Sequence, residues 1–338
     1  MKKFLCCYIL AIFLSWMFQG NAFSASNTTL WSLNVGLNPW IGNSLFFVAN
    51  DQGFFKKENL TVKFTKYNDG SVAKQLLASG NIDVIATTLE TPVILANAGL
   101  PVQVVGILDT SEGADGIIAT KDIQTVSDLK GKTIAYESAS AAEFILYYVL
   151  KKNHMTLADV NPIDLPASDA GAAFVAGRVD AAVTWEPWLS DASQRPGGHV
   201  LVDSRSIPLF SDFYILRKDT LQQKTAAVQA MLRALFEARD FTHTHPQESI
   251  AIIAKHYHLT TQETKRELGT FQWNSYKDNV FYFTTKSQPN VLSVLEDANT
   301  LYQQSGILDQ NINMQELVNP NLLLTLYKNT ATPAQKES

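Results

Sequence analysis

The sequence predicts an α/β protein of two lobes, each a doubly wound sheet flanked by helices. From Leu30 onward, short apolar runs rich in β-branched residues alternate with segments of helical periodicity, a pattern typical of parallel strands joined by helices. A chain of 338 residues usually divides into two domains that each bury a core. The last third has few strand patterns, so we expect its helices to pack on lobe 1.

The chain begins lobe 1 with a regular alternation of strands and helices. The predicted strands are 31–37, 60–67, 82–88 and 101–108, and the predicted helices are 44–59, 70–80 and 91–99. Gly80 is typical of a helix C-terminal cap, and Pro92 is tolerated in the first turn of a helix. We therefore expect residues 25–113 to form the first part of lobe 1.

A second alternating series follows Gly113 and predicts lobe 2 at residues 114–210. Its predicted strands are 116–120, 133–137, 161–167, 180–186 and 199–204, and its helical segments are 127–132, 140–153 and 168–178. A strand at 213–218 then returns to lobe 1, whose second part we expect at 211–327. The predicted helices of this part are 219–243, 247–257, 260–268, 287–304 and 313–318. Two connections of this kind between lobes are typical of a hinge.

The N-terminus has the pattern of a secretory signal peptide. Lys2 and Lys3 precede an apolar run at 4–18 and a small-residue stretch at 22–25. The apolar run is shorter than the ~20 residues that a membrane-spanning helix needs. We expect residues 1–24 to be removed after export to the periplasm, and the polar tail at 328–338 to be disordered.

Composition and spacing argue against several other classes of protein. Cys6 and Cys7 both lie in the predicted signal peptide, so the mature chain has neither a disulfide nor a thiolate nucleophile. The net charge of −5 is scattered along the chain, which argues against nucleic acid as a partner. The histidines in HTH (243–245) and HYH (256–258) are two residues apart and would diverge on a helix, so we expect no metal site. No glycine-rich phosphate loop follows a strand, and we expect no cofactor.

The candidate binding site lies at the ends of the strands. Ligands of open α/β sheets bind outside the carboxyl ends of the strands, where the following loops meet. This rule selects as ligand-binding residues Asn38, Pro39, Trp40, Asn68, Gly70, Ser71, Thr88, Glu90, Ser111, Asp115, Glu137, Ser138, Ala139, Ser140, Trp185, Glu186 and Asp212. Those that open helices, 70–71, 88 and 138–140, present amide groups that favour an anion, but the same residue types are also ordinary helix caps.

Tryptophans and carboxylates offer a second kind of contact. Trp40 and Trp185 follow strands, so each either walls a pocket or fills the interface between the lobes. A buried carboxylate needs a partner, so one or two of those near the cleft could pair with a ligand ammonium or aminopyrimidine edge. These carboxylates are Glu90, Glu112, Asp115, Glu137, Glu186 and Asp212. Glu186 serves either ligand contact or lobe closure.

Four segments resemble a known family in their order and spacing. They are GLNPWIGNSLFFVANDQGFFKKENLTVKF, LLASGNIDVIATT, SDLKGKTIAYESAS and DAGAAFVAGRVDAAVTWEPW. They resemble the periplasmic binding proteins for nitrate, sulfonate, taurine and thiamine-pyrimidine precursors, from about Leu30 to Tyr282. The resemblance implies a type II periplasmic-binding-protein fold and a role beside an ABC importer, with a membrane permease and its ATPase as partners. We expect the protein to be a monomer.

The resemblance and the site residues together predict a receptor. It would close its lobes on a small anionic or zwitterionic nitrogen or sulfur compound of the sulfonate, taurine or nitrate class. A second hypothesis is a thiamine-related aminopyrimidine precursor, stacked on Trp40 or Trp185 and hydrogen-bonded by Glu90 or Glu137. A third is an enzyme, a pyrimidine-precursor synthase. The synthases that resemble this chain carry a cysteine-rich motif that its mature part lacks, so we expect no enzymatic activity.

Overall fold

Two β-sheets organise the chain, and we call the parts built around them the first lobe and the second lobe. The computed structural model describes residues 30–310 and 312–328, so the predicted signal peptide and the predicted tail beyond Lys328 lie outside the described residues. The strands are β1 (Trp31–Leu37), β2 (Leu60–Lys66), β3 (Val84–Thr88), β4 (Val102–Ser111), β5 (Asp115–Thr120), β6 (Thr133–Tyr136), β7 (Asn161–Asp164), β8 (Ala181–Trp185), β9 (Gly198–Asp203), β10 (Ser211–Arg217) and β11 (Phe271–Trp273).

Helices cover both sheets. The α-helices are α1 (Ser44–Asp51), α2 (Phe54–Lys57), α3 (Gly70–Ala78), α4 (Glu90–Asn97), α5 (Ala141–Lys152), α6 (Ala167–Val175), α7 (Trp188–Ser193), α8 (Lys218–Thr244), α9 (Pro246–Tyr257), α10 (Thr261–Leu268), α11 (Tyr276–Thr284), α12 (Val291–Gln304) and α13 (Pro320–Thr325). Short 3₁₀ turns lie at Ile41–Asn43, Val126–Leu129, Leu157–Asp159, Ser204–Ser206 and Met314–Glu316. No helix in the described ranges combines the length and the apolar composition needed to cross a bilayer.

Both sheets are mixed, whereas the sequence pattern predicted parallel strands. The first sheet has six strands in the order β11-β4-β10-β3-β1-β2, and the second has five in the order β7-β6-β8-β5-β9. β1 is parallel to β2 and β3, and β6 is parallel to β7 and β8. β10 is antiparallel to β3 and β4, β11 to β4, and β5 to β8 and β9.

The mixed topology follows from the way the chain changes sheets. β4 ends at Ser111 and β5 begins at Asp115, while β9 ends at Asp203 and β10 begins at Ser211. A parallel neighbour needs a crossover of a dozen or more residues, usually a helix on one face of the sheet. β5 and β10 instead arrive from the other sheet through shorter links, so their direction is free. The Ser204 hydroxyl accepts a hydrogen bond from the Gly113 amide at 2.9 Å, which holds the two links side by side.

The C-terminal third packs on the first lobe, as predicted. Along α8, the side chains of Val228, Met231, Leu232 and Leu235 are buried at the i, i+3, i+4, i+7 spacing of one helix face. α8 packs against α1, α2 and α9, and β11 adds to the β4 edge of the first sheet.

Some predicted helix boundaries need correction. The predicted helix 44–59 is two helices, α1 and α2, because Gly53 between them adopts a left-handed φ of +74°. The predicted helix 287–304 begins only at Val291, where the Asn290 side chain accepts a hydrogen bond from the Ser293 amide at 2.9 Å and caps the helix. β11, α7, α11 and α13 had no predicted counterpart.

Candidate ligand-binding cleft

A cleft lies between the two lobes, at loops that follow strands of both sheets. It contains two adjoining cavities of about 50 Å³ and about 70 Å³. The first cavity is lined by Asn38, Trp40, Thr87, Thr88, Asp109, Ser111, Asp115, Ala141, Trp185, Phe210, Ser211 and Asp212. The second cavity is lined by Asn38, Tyr67, Asn68, Gly70, Ala73, Lys74, Ile85, Thr87, Thr88, Glu90, Thr91, Glu137, Ser140, Ala141 and Trp185. The two share residues of both lobes and form one cleft.

Most of the predicted ligand-binding residues line this cleft. Those in its walls are Asn38, Trp40, Asn68, Gly70, Thr88, Glu90, Ser111, Asp115, Glu137, Ser140, Trp185 and Asp212. The remaining ones, Pro39, Ser71, Ser138, Ala139 and Glu186, line neither cavity. Which of the lining residues bind a ligand stays a prediction.

Hydrogen bonds within the protein engage three of the loop residues outside the walls, Ser71, Ser138 and Ala139. The Ser71 amide donates to the Asp69 carboxylate at 2.6 Å, so this loop caps α3. The Ser138 amide donates to the Asp164 carboxylate at 2.9 Å. The Ala139 carbonyl accepts a hydrogen bond from Lys74 Nζ at 2.8 Å. These groups are used within the protein and do not reach the cavities.

Glu186 is buried behind the cleft wall. Its carboxylate accepts hydrogen bonds from the Ser190 amide at 3.1 Å and the Ser190 hydroxyl at 2.7 Å, at the start of α7. Burial raises the pKa of Glu186, and the Ser190 hydrogen bonds oppose that rise. Glu186 therefore serves the start of α7 in this structure.

Two tryptophans close the cleft from opposite lobes. The rings of Trp40 and Trp185 lie edge to face, and both line the first cavity. Trp40 also packs on Phe271 at a centroid distance of 4.9 Å, and Trp185 packs on Trp188 at 4.2 Å. Each ring therefore lines the pocket and also lies in the interface between the lobes.

Buried carboxyl groups gather at the first cavity. The Trp40 indole N–H donates to Asp109 Oδ2 at 2.9 Å, and the Ser111 hydroxyl donates to Asp115 Oδ2 at 2.7 Å. Burial raises the pKa of Asp115 to about 7, and the Ser111 hydrogen bond opposes the rise. Burial also raises the pKa of Asp109 and Asp212, and the negative charges of neighbouring aspartates add to both rises.

The second cavity combines a lysine with two glutamates. Lys74 Nζ donates to the Ala139 carbonyl of the second lobe at 2.8 Å and to the Gly70 carbonyl at 3.4 Å. Burial lowers the pKa of Lys74, while the charges of Glu90 and Glu137 oppose that change. Burial raises the pKa of both glutamates, and Lys74 opposes both rises.

The sequence-based selection missed two charged residues of the cleft, Lys74 and Asp109. Lys74 lies in the first two turns of α3, beyond the strand-end loop that the rule considers. Asp109 follows the apolar run that was predicted to end at Leu108, but β4 continues to Ser111 and carries it into the wall. An aspartate directly after an apolar strand was the available signal. Within the described ranges, no three His, Cys, Asp or Glu side chains are grouped to hold a metal ion.

Two α/β lobes joined by adjacent links, with a cleft between them at the strand ends, form the fold of the two-lobed periplasmic binding proteins. The fold is similar to that of the periplasmic aliphatic sulphonate binding protein SsuA from Escherichia coli, with a TM-score of 0.72 and 22% identity over 88% of this chain and 100% of that one. It is also similar to the desulfurization enzyme DSZB, with a TM-score of 0.63 and 16% identity over 88% and 99% of the two chains. These likenesses confirm the predicted fold class.

The chain belongs to the NMT1/THI5-like family, whose profile matches residues 42–249. A putative aliphatic sulfonates-binding protein of Escherichia coli (strain K12) is 29% identical over 196 residues, which cover 57% of this chain and 61% of that protein. The protein of the same description in Bacillus subtilis (strain 168) is 29% identical over 257 residues, 74% of this chain and 76% of the relative. The family predicted from the sequence is confirmed.

Proposed function

We propose that this protein is the extracytoplasmic solute-binding receptor of an ABC importer. It captures a small anionic or zwitterionic compound of the sulfonate, taurine or nitrate class by closing its lobes, and it passes the compound to a membrane permease driven by an ATPase. The observation that carries this proposal is the cleft, whose walls come from both lobes and whose two cavities are small. The descriptions of the Escherichia coli and Bacillus subtilis relatives support this class of ligand.

Contacts between the lobes support capture by closure. Lys74 of the first lobe reaches the Ala139 carbonyl of the second, as described above. Phe144 in α5 of the second lobe packs against Phe210 at a centroid distance of 6.1 Å and against Tyr302 in α12 at 6.3 Å. A ligand between the lobes favours closure only if it binds the closed form more tightly than the open one. A ligand in a cleft with walls from both lobes gains contacts when the lobes close, which favours the closed form.

Two helix N-termini and one lysine border the second cavity, which Glu90 and Glu137 also line. The N-termini of α3 and α5 lie there together with Lys74, and helix N-termini attract negative groups. A sulfonate or nitrate group placed beside Lys74 and these helix N-termini would be stabilised by them. This arrangement favours a ligand with at least one anionic group.

The side chains in the cleft favour binding over catalysis. A nucleophilic mechanism needs an activated hydroxyl or thiol beside a base. Within the described residues, neither cavity is lined by histidine or cysteine. We therefore propose a receptor without enzymatic activity, although the fold also occurs in an enzyme.

A binding screen tests this proposal. Thermal unfolding of the mature protein is measured with taurine, ethanesulfonate, nitrate and an aminopyrimidine, since a ligand at 100 times its Kd adds about 2.7 kcal/mol of stability. We expect one of the first three compounds to raise the midpoint and to be recovered intact after denaturation. A shift by the aminopyrimidine alone would favour the pyrimidine-precursor hypothesis. Conversion of a compound to product would overturn the receptor role.

A further inference from the structure

Asp109 and Asp212 stand directly opposite each other in the antiparallel register of β4 and β10. Directly paired residues share one face of a sheet, with Cβ atoms about 4.5–5.5 Å apart, and like charges in that position are destabilising. Asp115, at the start of β5, lines the same cavity. The three side chains are only 2%, 7% and 9% exposed for Asp109, Asp212 and Asp115. A like-charge pair and a third carboxyl are thus buried together.

The protein supplies few donors to these carboxyl groups. Asp109 receives the Trp40 indole N–H and Asp115 receives the Ser111 hydroxyl, whereas the Asp212 side chain has no hydrogen-bond partner among the described residues. No lysine, arginine or histidine of the described chain lines the first cavity. A buried carboxylate without a partner is costly, so the cluster needs protons or a cation.

The second cavity does not provide the missing positive charge. Its one basic side chain, Lys74, donates to two backbone carbonyls and lies with Glu90 and Glu137 in the same wall. Glu90 is 1% exposed, and its Oε2 atom has no hydrogen-bond partner among the described residues. The cleft as a whole therefore carries more carboxyl groups than basic groups.

On the basis of the proposed receptor function, we propose that the ligand carries a protonated nitrogen and that Asp109, Asp115 and Asp212 bind it. An ammonium group has three donors and no acceptor, which complements three carboxyl groups with free acceptor positions. A zwitterion such as an aminosulfonate would place this group in the first cavity. A simple sulfonate or nitrate would leave the cluster unpaired. This end of the cleft selects for an amine within the ligand class.

Matched probes test the amine directly. Isothermal titration calorimetry of the wild-type protein compares aminoalkanesulfonates, alkanesulfonates and alkyl diamines, each with chains of two to four carbons. We expect removal of the amine to weaken binding at least about 30-fold, the loss typical of truncating one partner of a buried charge pair. An alkanesulfonate that binds as tightly as its amino counterpart would overturn the inference.

Two aspartate variants test the assigned residues. We expect Asp212→Asn to weaken the best amine probe at least about 30-fold and to raise the midpoint of thermal unfolding of the ligand-free protein, because a neutral amide replaces a buried carboxyl that has no hydrogen-bond partner among the described residues. If the Asp212 carboxyl had only a structural role, its replacement would lower this midpoint instead. Asp297→Asn, an exposed aspartate on α12, is the control and should bind as the wild type. Unchanged amine affinity in Asp212→Asn would overturn the assignment of the amine to these aspartates. If Asp212→Asn does not fold, the amine affinity of Asp115→Asn is measured instead, and an unchanged value again overturns the assignment.

The outcomes separate this inference from the receptor function on which it rests. Silence of every amine-bearing probe overturns the inference. If an alkanesulfonate still binds and is recovered intact, the receptor function stands without the amine. If no probe of any kind binds, both fail.

Discussion

Trp40 and Trp185 meet edge to face across the cleft, with ring centroids 6.2 Å apart and planes at 88°. Trp40 follows β1 in the first lobe, and Trp185 ends β8 in the second. Trp185 also lines both cavities, so one ring contacts the opposite lobe and the space for a ligand. A ligand that filled either cavity would therefore lie beside the ring that also joins the two lobes.

We expect Trp185→Ala to weaken binding of the compound that the wild-type protein binds in the screen by about fivefold or more. Truncation of a buried aromatic anchor costs more than about 1 kcal/mol. Isothermal titration calorimetry measures the change. Trp31→Phe is the control, since Trp31 lines neither cavity and this variant should bind normally. Wild-type affinity in Trp185→Ala would assign Trp185 to lobe packing alone.

Gly42 lies against the hydrogen bond between Trp40 and Asp109. A Cβ atom at position 42 would overlap both Asp109 Oδ2 and the Trp40 indole nitrogen. We expect Gly42→Ala to break this bond and to lower the free energy of unfolding by about 1–3 kcal/mol, because overpacking and an unpartnered buried carboxyl both destabilise. Urea unfolding followed by circular dichroism measures the loss. A wild-type unfolding midpoint would contradict this prediction and would show that the Asp109 and Trp40 side chains shift to make room.

Asn279 ties α11 to the first sheet. It is fully buried, its Oδ1 accepts from the Ile107 amide at 2.6 Å, and its Nδ2 donates to the Ile107 and Ser275 carbonyls, both at 3.0 Å. We expect Asn279→Ala to lower the free energy of unfolding by about 2–4 kcal/mol, since it leaves buried backbone groups unpaired and opens a small space. Urea unfolding tests this, with Asn321→Ala on the exposed face of α13 as the control. Equal stability of the two variants would contradict the role of Asn279.

The same residue illustrates where the sequence was insufficient for predicting the fold. β1 was predicted at its observed bounds because an alternating apolar run there stops at Asn38 and Pro39. α11 was missed because its interior is rich in aromatic residues and contains Asn279, which have weak helix propensity. Its Ser275 and Asp278 side chains form a capping box, a local signal that was present, but the bonds between Asn279 and Ile107 join residues far apart in sequence. Tertiary contacts decide such a helix.

The candidate site shows a similar division. The strand-end rule found most of the lining residues because it depends only on where strands stop. Asp109 was missed because β4 is extended beyond its apolar run by pairing with β10 and β11, which lie more than 100 residues away in the chain. Lys74 was missed because its position in the cleft depends on a hydrogen bond to the Ala139 carbonyl, which belongs to the second lobe. Local patterns carry no information on such partners.

Asp115 makes the stability of the ligand-free protein depend on pH. Its pKa rises from 3.8 to about 7, first through burial, and the folded protein therefore binds this proton more tightly than the unfolded chain. The stabilisation is fully present below about pH 3.8 and is lost as the pH rises through about 7. We expect the Tm to fall between about pH 6 and about pH 8. The charged groups that face Asp115 and favour the same direction are Glu90, Glu186, Asp109 and Asp212.

The Asp115→Asn variant measures how much Asp115 contributes to the fall in Tm between about pH 6 and about pH 8. We expect the fall in Tm to become smaller but not to vanish, because burial also raises the pKa of Glu143 and Glu267 to about 7. Scanning calorimetry across the range measures the slope, and Asp297→Asn should keep the wild-type slope. A Tm that rises over the same range would contradict the sign of the effect.

The negative charge of Glu186 in the second lobe raises the pKa of the buried Glu267 carboxyl in the first lobe. Burial raises the pKa of Glu267 in α10 to about 7, the negative charge of Glu186 adds to the rise, and Arg266 opposes it. Glu267 is 3% exposed, and its Oε1 has no hydrogen-bond partner among the described residues. Separation of the lobes would reduce this repulsion. Closure is therefore opposed when both groups are ionised.

We expect Glu267→Gln to favour the closed form of the ligand-free protein at about pH 8, where wild-type Glu267 is ionised. Small-angle X-ray scattering should give a smaller radius of gyration for the variant. At about pH 5, where the wild-type carboxyl holds its proton, the two proteins should have the same radius. Glu296→Gln on the exposed face of α12 is the control and should match the wild type at both pH values. A radius of gyration larger than that of the wild type at about pH 8 would contradict this prediction. It would mean that Glu267 holds the lobes together, because its contacts in the closed form outweigh its repulsion with Glu186.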